Sequence, residues 1–360
     1  MKELLQQLVD GQPLSLQQAT EAFEWIMTGQ ATPTQTGALL ALIETRGATV
    51  DELTGAARVM RAKAAKVEPP AGVTVIDTCG TGGDGAGTFN ISTAAAVVAA
   101  AAGRPKGVVV AKHGNRSVTS KSGSSQVLEA LGVTLRVSPD TLTRCMDKAG
   151  IGFCFAPAHH PAMKHAAPVR AELGFHTLFN LVGPLTNPAG ATRQVLGVYD
   201  ESLTDTLAEV LRRLGSARAM VVCGLMPTDA GGHVAGLDEL STAGPSKVTE
   251  LIGDATGGRL QTRRLDPASL DLPFSHPSSL TVDGPEASAR RIRGVLAGEP
   301  GPARDIVALN AAAALVVAGV AEDLAEGLAQ AFEAIDAGHA ARALDTLVAV
   351  TRAAEARGGG

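Results

Sequence analysis

Apolar positions recur at helical spacing from the start of the chain to about residue 66, and the period then changes. Ser15 is placed to cap a helix over Leu16–Met27, Thr34–Thr45 repeats apolar residues every three or four positions, and Val50-Asp51-Glu52 opens a helix running to about Lys66 with acid in its first turn. Pro69-Pro70-Ala71-Gly72 breaks the pattern and reads as a hinge. From Val73 onward, short β-branched runs alternate with helical segments. These are Val73–Ile76, Ile91–Ala102, Gly107–Ala111, Ser124–Leu131, Pro139–Ala149 and Ile151–Phe155. Strand signal disappears between Pro161 and Pro188, where two helical segments split near Gly174. It resumes at Val195–Tyr199 and Ala219–Cys223 around a helix over Ser202–Leu214. From Ala303 the chain is helical again, with Ala311–Ala314 expected to pack tightly.

Such alternation predicts an α/β fold: a small all-helical N-terminal domain plus a larger α/β domain with a mainly parallel central sheet flanked by helices. The expected division is 1–68 plus about 160–190 for the helical domain, and 72–158 plus 191–356 for the α/β domain. The terminal residues 357–360 are expected to be disordered.

The densest chemistry lies between the first strand and its helix, in Asp77-Thr78-Cys79-Gly80-Thr81-Gly82-Gly83-Asp84-Gly85-Ala86-Gly87-Thr88-Phe89-Asn90-Ile91-Ser92-Thr93. Glycines let a backbone approach a ligand closely, and a helix N-terminus favours an anion. A phosphorylated ligand is therefore expected. The letters Gly80-x-Gly82-x-x-Gly85 fit the dinucleotide fingerprint, but its context fails. The helix opens only after Gly87, and the next strand ends in Lys112-His113 instead of an acid. A second loop, Lys112-His113-Gly114-Asn115-Arg116-Ser117-Val118-Thr119-Ser120-Lys121-Ser122-Gly123-Ser124, also joins a strand to a helix. It gathers fixed cations and hydroxyls suited to phosphate oxygens. Taken alone it would be a solvated basic turn. Two such loops at the carboxyl ends of neighbouring strands are where open α/β sheets bind ligands.

Asp238-Glu239 sits in a small-residue loop, Gly236 to Ser241. Alone, such a pair is an ordinary polar turn. Beside a diphosphate it would suit Mg²⁺, which prefers carboxylate oxygens and retains substrate phosphates as ligands. His159, His160 and His165 have no strong zinc spacing and read as packing or turn residues. Arg170, on a helix between the domains, could meet a carboxylate with its planar fork.

The bulk properties narrow the classes. Net charge is −5 and aromatic content 3%, so nothing indicates nucleic-acid or membrane partners. The four cysteines, Cys79, Cys145, Cys154 and Cys223, are scattered and read as reduced thiols, and the N-terminus is not a signal peptide. A cytoplasmic location is expected.

In order along the chain, Gly80–Gly85, Thr88–Thr93, Lys112–Arg116, Pro168-Val169-Arg170, Phe179–Pro188 and Gly236–Ser241 closely resemble the anthranilate phosphoribosyltransferase family. That resemblance implies transfer of phosphoribose from phosphoribosyl pyrophosphate to the amine of anthranilate, in tryptophan biosynthesis. It implies no catalytic base or covalent nucleophile, and a homodimer formed through the helical domain. By family analogy the phosphoribosyl pyrophosphate site comprises Gly80, Gly83, Asp84, Thr88, Asn90, Ile91, Ser92, Thr93, Lys112, His113, Gly114, Asn115, Arg116, Ser117, Val118, Thr119, Ser120 and Ser124. Gly80, Asn115 and Arg170 would contact anthranilate, while Ser92, Asp238 and Glu239 would hold two Mg²⁺ ions. Two other readings share the architecture. A pyrimidine nucleoside phosphorylase-like enzyme would need no metal pair, and a non-catalytic nucleic-acid-binding relative would need a basic stripe.

Overall fold

The computed structural model describes residues 1–116, 123–227, 234–253 and 257–356. Four helices come first: α1 (Lys2–Val9), α2 (Leu16–Met27), α3 (Pro33–Arg46) and α4 (Val50–Lys63). Ser15, Thr32 and Thr49 each close a reciprocal cap with the residue three positions on, which satisfies the backbone donors that start α2, α3 and α4. The α2 start matches the sequence expectation, whereas α4 ends three residues sooner than expected. Glu52 ties the helices together. Its buried carboxylate accepts from Leu14 N (3.0 Å), Thr49 N (2.9 Å) and both ways from Arg46 Nη2 (2.6 and 2.7 Å).

The sheet follows. Its strands are β1 (Thr74–Gly80), β2 (Val108–Gly114), β3 (Ile151–Phe155), β4 (Arg193–Gly197), β5 (Arg218–Pro227), β6 (Val234–Leu237), β7 (Ser246–Ile252) and β8 (Arg259–Leu265). The order is β3-β2-β1-β4-β5-β7-β8, with β6 pairing β5. The first five are mutually parallel, and β6, β7 and β8 add antiparallel pairs. The sequence reading carried no strand at β7 or β8; on the edge strand β8, Arg259, Gln261, Thr262 and Arg264 are exposed, which leaves no clean apolar alternation to read.

It also ended the first two strands too early. Asp77–Gly80 and Lys112–Gly114, read as loop, continue β1 and β2. Their backbones pair onward to Gly80↔Gly197 and Gly114↔Phe155. Ladder hydrogen bonds in a sheet covered on both faces override the poor strand propensity of Asp, Gly and Lys.

Helices α5 (Ile91–Gly103), α6 (Ser124–Leu131), α7 (Pro139–Ala149), α12 (Pro285–Leu296), α13 (Pro302–Ala318), α14 (Leu324–Asp336) and α15 (His339–Ala356) share one core with the sheet. Within it Ala94–Ala100 of α5 and the fully buried Ala311–Ala314 of α13 allow the two helices close approach. Between β3 and β4 run the short helices α8 (Ala156–His159), α9 (Ala167–Leu173) and α10 (Leu178–Val182). Leu178, Phe179 and Val182 join Phe23, Ile26, Leu40 and Leu53 in a second core, which also receives α11 (Leu203–Arg213). Where the chain crosses between the two cores, its strands of linker bond to one another: Ala65 N to His159 O (2.8 Å) and Val67 N to Pro188 O (3.2 Å).

Candidate functional site

In the sheet order, β1 lies between β2 and β4. The chain therefore reverses its direction of progress across the sheet at the β1–β4 boundary, the place where open α/β sheets leave a crevice at their carboxyl ends. The glycine loop leaves β1 at this point. The Asp238–Glu239 loop lies across the same strand ends. A Cβ on Gly80 of β1 would overlap the Asp238 carboxylate, and one on Gly197 of β4 would overlap the Asp238 backbone. These paired strand-end glycines are what admit an acidic loop over the sheet.

Asp238 Oδ2 accepts from Gly82 N (2.8 Å), and Glu239 Oε1 accepts from Ser92 N (2.8 Å) in the first turn of α5. The N-terminus of α5 is thus answered by a carboxylate of the chain itself. Its cap is Asn90, whose Oδ1 accepts from Thr93 N (3.1 Å). Withdrawal from water, then the charges of Asp84 and Glu239, hold the Asp238 carboxyl well above its ordinary range. Withdrawal from water likewise lifts Glu239 to about 7, against the pull of Lys112 and the Ser92 N–H.

This crowding tests whether a divalent cation fits. Lys112 offsets only part of the charge of these acidic groups held out of water beside one another, and their oxygens are the hard donors that Mg²⁺ prefers. Among the described residues no three His, Cys, Asp or Glu side chains enclose a metal-sized point. Two carboxylates and the Ser92 hydroxyl suit an ion that keeps water and substrate oxygens in its shell.

Lys112 departs from the expected solvated phosphate ligand. It is buried at the end of β2, and its Nζ donates to Thr78 O (2.5 Å) and Ser92 Oγ (3.2 Å). It braces β1 against α5 and places a positive charge behind the carboxylates. His113 departs further. Its backbone N–H donates to Asp77 Oδ1 (3.0 Å), and its ring is buried against His160, Nε2 to Nε2 3.1 Å. Burial, reinforced by His160, His159 and Lys112, holds the His113 ring well below its usual pKa, and burial lowers His160 to about 4. The pair is neutral at pH 7, one ring donating to the other. With its N–H held by Asp77 and its ring by His160, His113 supports the strand end and offers no donor to a phosphate.

The remaining expected residues are accounted for as follows. Gly83, Asp84 and Thr88 lie in the loop after β1, where Asp84 Oδ1 accepts from Ala86 N (3.1 Å) and Thr88 forms a bridge with Thr281. Ile91 is buried, so only its backbone can face a ligand. Gly114 ends β2. Asn115 follows, its carbonyl accepting from Ser124 Oγ (3.3 Å). Arg116 is drawn aside by Glu129 of α6 (2.9 Å) and does not reach into the crevice. Ser117, Val118, Thr119 and Ser120 lie outside the described residues.

Arg170 stands on α9, over the Phe179 ring (5.5 Å), with Nη2 donating to Asn180 Oδ1 (3.1 Å). His159 donates from Nδ1 to Ala65 O (3.1 Å), and His165 lies against Gly29. All four cysteines are buried and free. Asp77 was missed as part of the site because nothing in its local sequence shows that its carboxylate turns under β2.

Two family descriptions match. "Glycosyl transferase family, helical bundle domain" covers residues 2–64, and "Glycosyl transferase family, a/b domain" covers 72–341. The chain is 51% identical over 350 residues to an anthranilate phosphoribosyltransferase of Rhodospirillum rubrum, spanning 97% of this chain and 95% of that one. It is 50% identical to the Thioalkalivibrio sulfidiphilus enzyme of that name, covering 98% of each. Among solved structures, the anthranilate phosphoribosyltransferase of Thermus thermophilus superposes with a TM-score of 0.85 at 40% identity, covering 97% of this chain and 99% of that one. The Saccharomyces cerevisiae enzyme in complex with PRPP and Mg gives 0.83 at 27% identity, covering 97% of each. No helix among the described residues is long and apolar enough to cross a membrane.

Proposed function

This chain belongs to the anthranilate phosphoribosyltransferase family of glycosyl transferases, and on that footing we propose how it works. It transfers the phosphoribosyl group of 5-phosphoribosyl 1-pyrophosphate to the amine of anthranilate, releasing pyrophosphate in a Mg²⁺-dependent step of tryptophan synthesis. The observation that carries this reading is the acidic loop laid over the strand ends beside a glycine-rich helix start.

The anthranilate amine is a neutral nucleophile, so a general base contributes little. The difficulty is charge growing on the departing diphosphate. Those backbone N–H groups of the glycine loop and the α5 start that Asp238, Glu239 and Asn90 do not hold are fixed before reaction and so stabilise that charge without reorganising. Ser92, Asp238 and Glu239 hold Mg²⁺, two ions by family analogy, and bound Mg²⁺ supplies neutralisation of the diphosphate oxygens. By family analogy Asp84, whose charge is felt at Asp238, belongs with Gly80 and Gly83 to the diphosphate site. Lys112 holds the α5 start in register. Thr88, Gly114, Asn115, the stretch 117–120 and Ser124 complete the sugar-phosphate site, with Lys112 and His113 bracing it from behind. Gly80, Asn115 and Arg170 receive anthranilate, with Arg170 matched to its carboxylate. Aligning two bound substrates can itself supply about 7–11 kcal/mol of the barrier.

The same reading groups residues 1–68 and about 160–190 as a closing domain, through which a cytoplasmic homodimer forms. The test is loss of anthranilate fluorescence, followed with both substrates and Mg²⁺ and with each omitted. Consumption that needs all three supports the reading. Consumption of nothing under any combination rejects it.

A further inference from the structure

The acceptor-side residue Arg170 and the donor-side glycine loop are joined by a continuous set of contacts through His176. Asn180 Oδ1 accepts from both Arg170 Nη2 and Thr177 N, each at 3.1 Å. Gly174, with φ +70°, ends α9, and Thr177 precedes α10, so His176 occupies a two-residue bridge fixed at both ends. Its ring lies against the glycine loop and Tyr199. A Cβ built on Gly83 would come within 2.7 Å of His176 Cε1 and 3.5 Å of Tyr199 Cδ1. The His176 and Tyr199 rings lie 6.1 Å apart at 53°. Glu44 of α3 lies near enough for the His176 charge to offset part of the upward push that desolvation gives its carboxyl. Among the described residues no hydrogen bond holds the His176 ring, so it acts on the loop by packing.

We propose that His176 is a positioning residue: its ring braces the glycine loop at Gly83 and links the placement of that loop to the segment carrying Arg170. The proposal rests on the donor and acceptor assignments made above. Gly83 has φ +88°. In that region a loop of glycines has many alternative conformations, and a ring wedged against it removes some of them. Loss of the ring therefore weakens donor binding before it affects chemistry. Because the bridge is pinned through Asn180, it also loosens the coupling between the two substrates.

The experiment compares wild type, His176→Ala, His176→Phe, Gly83→Ala and the double variant Gly83→Ala/His176→Ala, each checked for native circular dichroism. Initial rates are measured against each substrate at saturating Mg²⁺. His176→Ala is expected to raise the KM for phosphoribosyl pyrophosphate about tenfold, with kcat changed less, and His176→Phe to restore most of it, since a ring in contact is what matters. Gly83→Ala should do less harm in the His176→Ala background than in wild type, by about fivefold, because the ring it strikes is gone.

Multiplicative effects in the double variant would overturn the bracing contact, as would a His176→Phe enzyme no better than His176→Ala. If His176→Ala misfolds, His176→Gln, which fills the site without a ring, takes its place in every comparison. A wild-type enzyme without transferase activity would reject the underlying reading instead, and is told apart by the wild-type assay alone.

Discussion

Asp77→Asn separates the charge of a buried carboxylate from its hydrogen bonding. Asp77 lies in β1 under the two substrate loops and is almost completely buried. Its Oδ1 accepts from His113 N (3.0 Å), and Cys79 Sγ approaches its Oδ2 at 3.8 Å. Burial raises its pKa from 3.8 to about 6, against smaller opposing effects of Asn187, the His113 N–H and Lys112. Lys112 does not prevail because its ammonium is committed to Thr78 O and Ser92 Oγ.

A raised carboxyl pKa means that the folded protein keeps a proton that the unfolded chain has released. Stability from this group is therefore complete below about pH 4 and is lost as pH rises to about 6. About two pKa steps at ~1.4 kcal/mol each give about 3 kcal/mol. Asparagine is neutral at every pH and can still accept from His113 N. In urea titrations of wild type and variant between about pH 4 and about pH 7, the stability difference should shift by about 3 kcal/mol in favour of the variant. Every other titrating group is common to both proteins and cancels. Because the β1–β2 alignment survives, the KM for phosphoribosyl pyrophosphate should change less than about threefold. A stability difference that does not vary with pH would refute the reasoning, since it would mean that Lys112 keeps Asp77 ionised.

Glu239→Gln leaves an acceptor for Ser92 N and removes only the charge. We expect kcat/KM to fall by about 10²-fold or more, the scale set by removal of one fixed stabiliser of developing charge, with activity displaced to higher Mg²⁺. An unchanged Mg²⁺ titration would remove Glu239 from the ion site. Arg170→Ala should raise the anthranilate KM by about 10- to 100-fold, the value of a charged hydrogen bond or two, and the donor KM much less. A selective loss of donor binding would reassign the residue. Glu52→Ala leaves Arg46 and Leu14 N without their buried acceptor and should cost about 3–5 kcal/mol. Thermal unfolding of the variant measures this, and a Tm equal to wild type would show that water replaces the carboxylate.

Much of the fold is legible in the chain because its signals are local. Ser15, the apolar spacing of Thr34–Thr45 and the glycine between β1 and α5 each act through neighbours within a few residues, and each element stands where that chemistry puts it. Strand ends are less legible. Little in Asp77-Thr78-Cys79-Gly80 beyond Thr78 favours a strand, and it is one because β4 pairs with it from Asp77 to Gly80. The same limit explains Lys112 and His113. Sequence shows a basic loop after a strand, whereas burial of both side chains depends on Thr78, Ser92 and His160, which lie 20 or more residues away in the chain. Asp238-Glu239 is the clearest case. Alone it is an ordinary turn, and its role becomes visible only when Gly80 and Gly197 are found beneath it.

That last relationship says why the acidic pair and the glycines belong to one device. A carboxylate pair over a sheet of ordinary side chains would stand a side-chain length above the strand ends, in water, where two negative charges are cheap and bind a divalent ion weakly. Removing the Cβ atoms of Gly80 and Gly197 lets the loop drop onto the backbone. There Asp238 and Glu239 lose water, crowd Asp84 and rise in pKa. The gain is a site whose need for a counter-charge is satisfied only by protons or by a cation, at the point where the α5 N-terminus and the glycine loop N–H groups converge. Those donors hold the carboxylates in place through Gly82 N and Ser92 N. A bulky residue at Gly197, to which no ligand is assigned, would therefore act on metal and donor affinity together by displacing the Asp238 backbone.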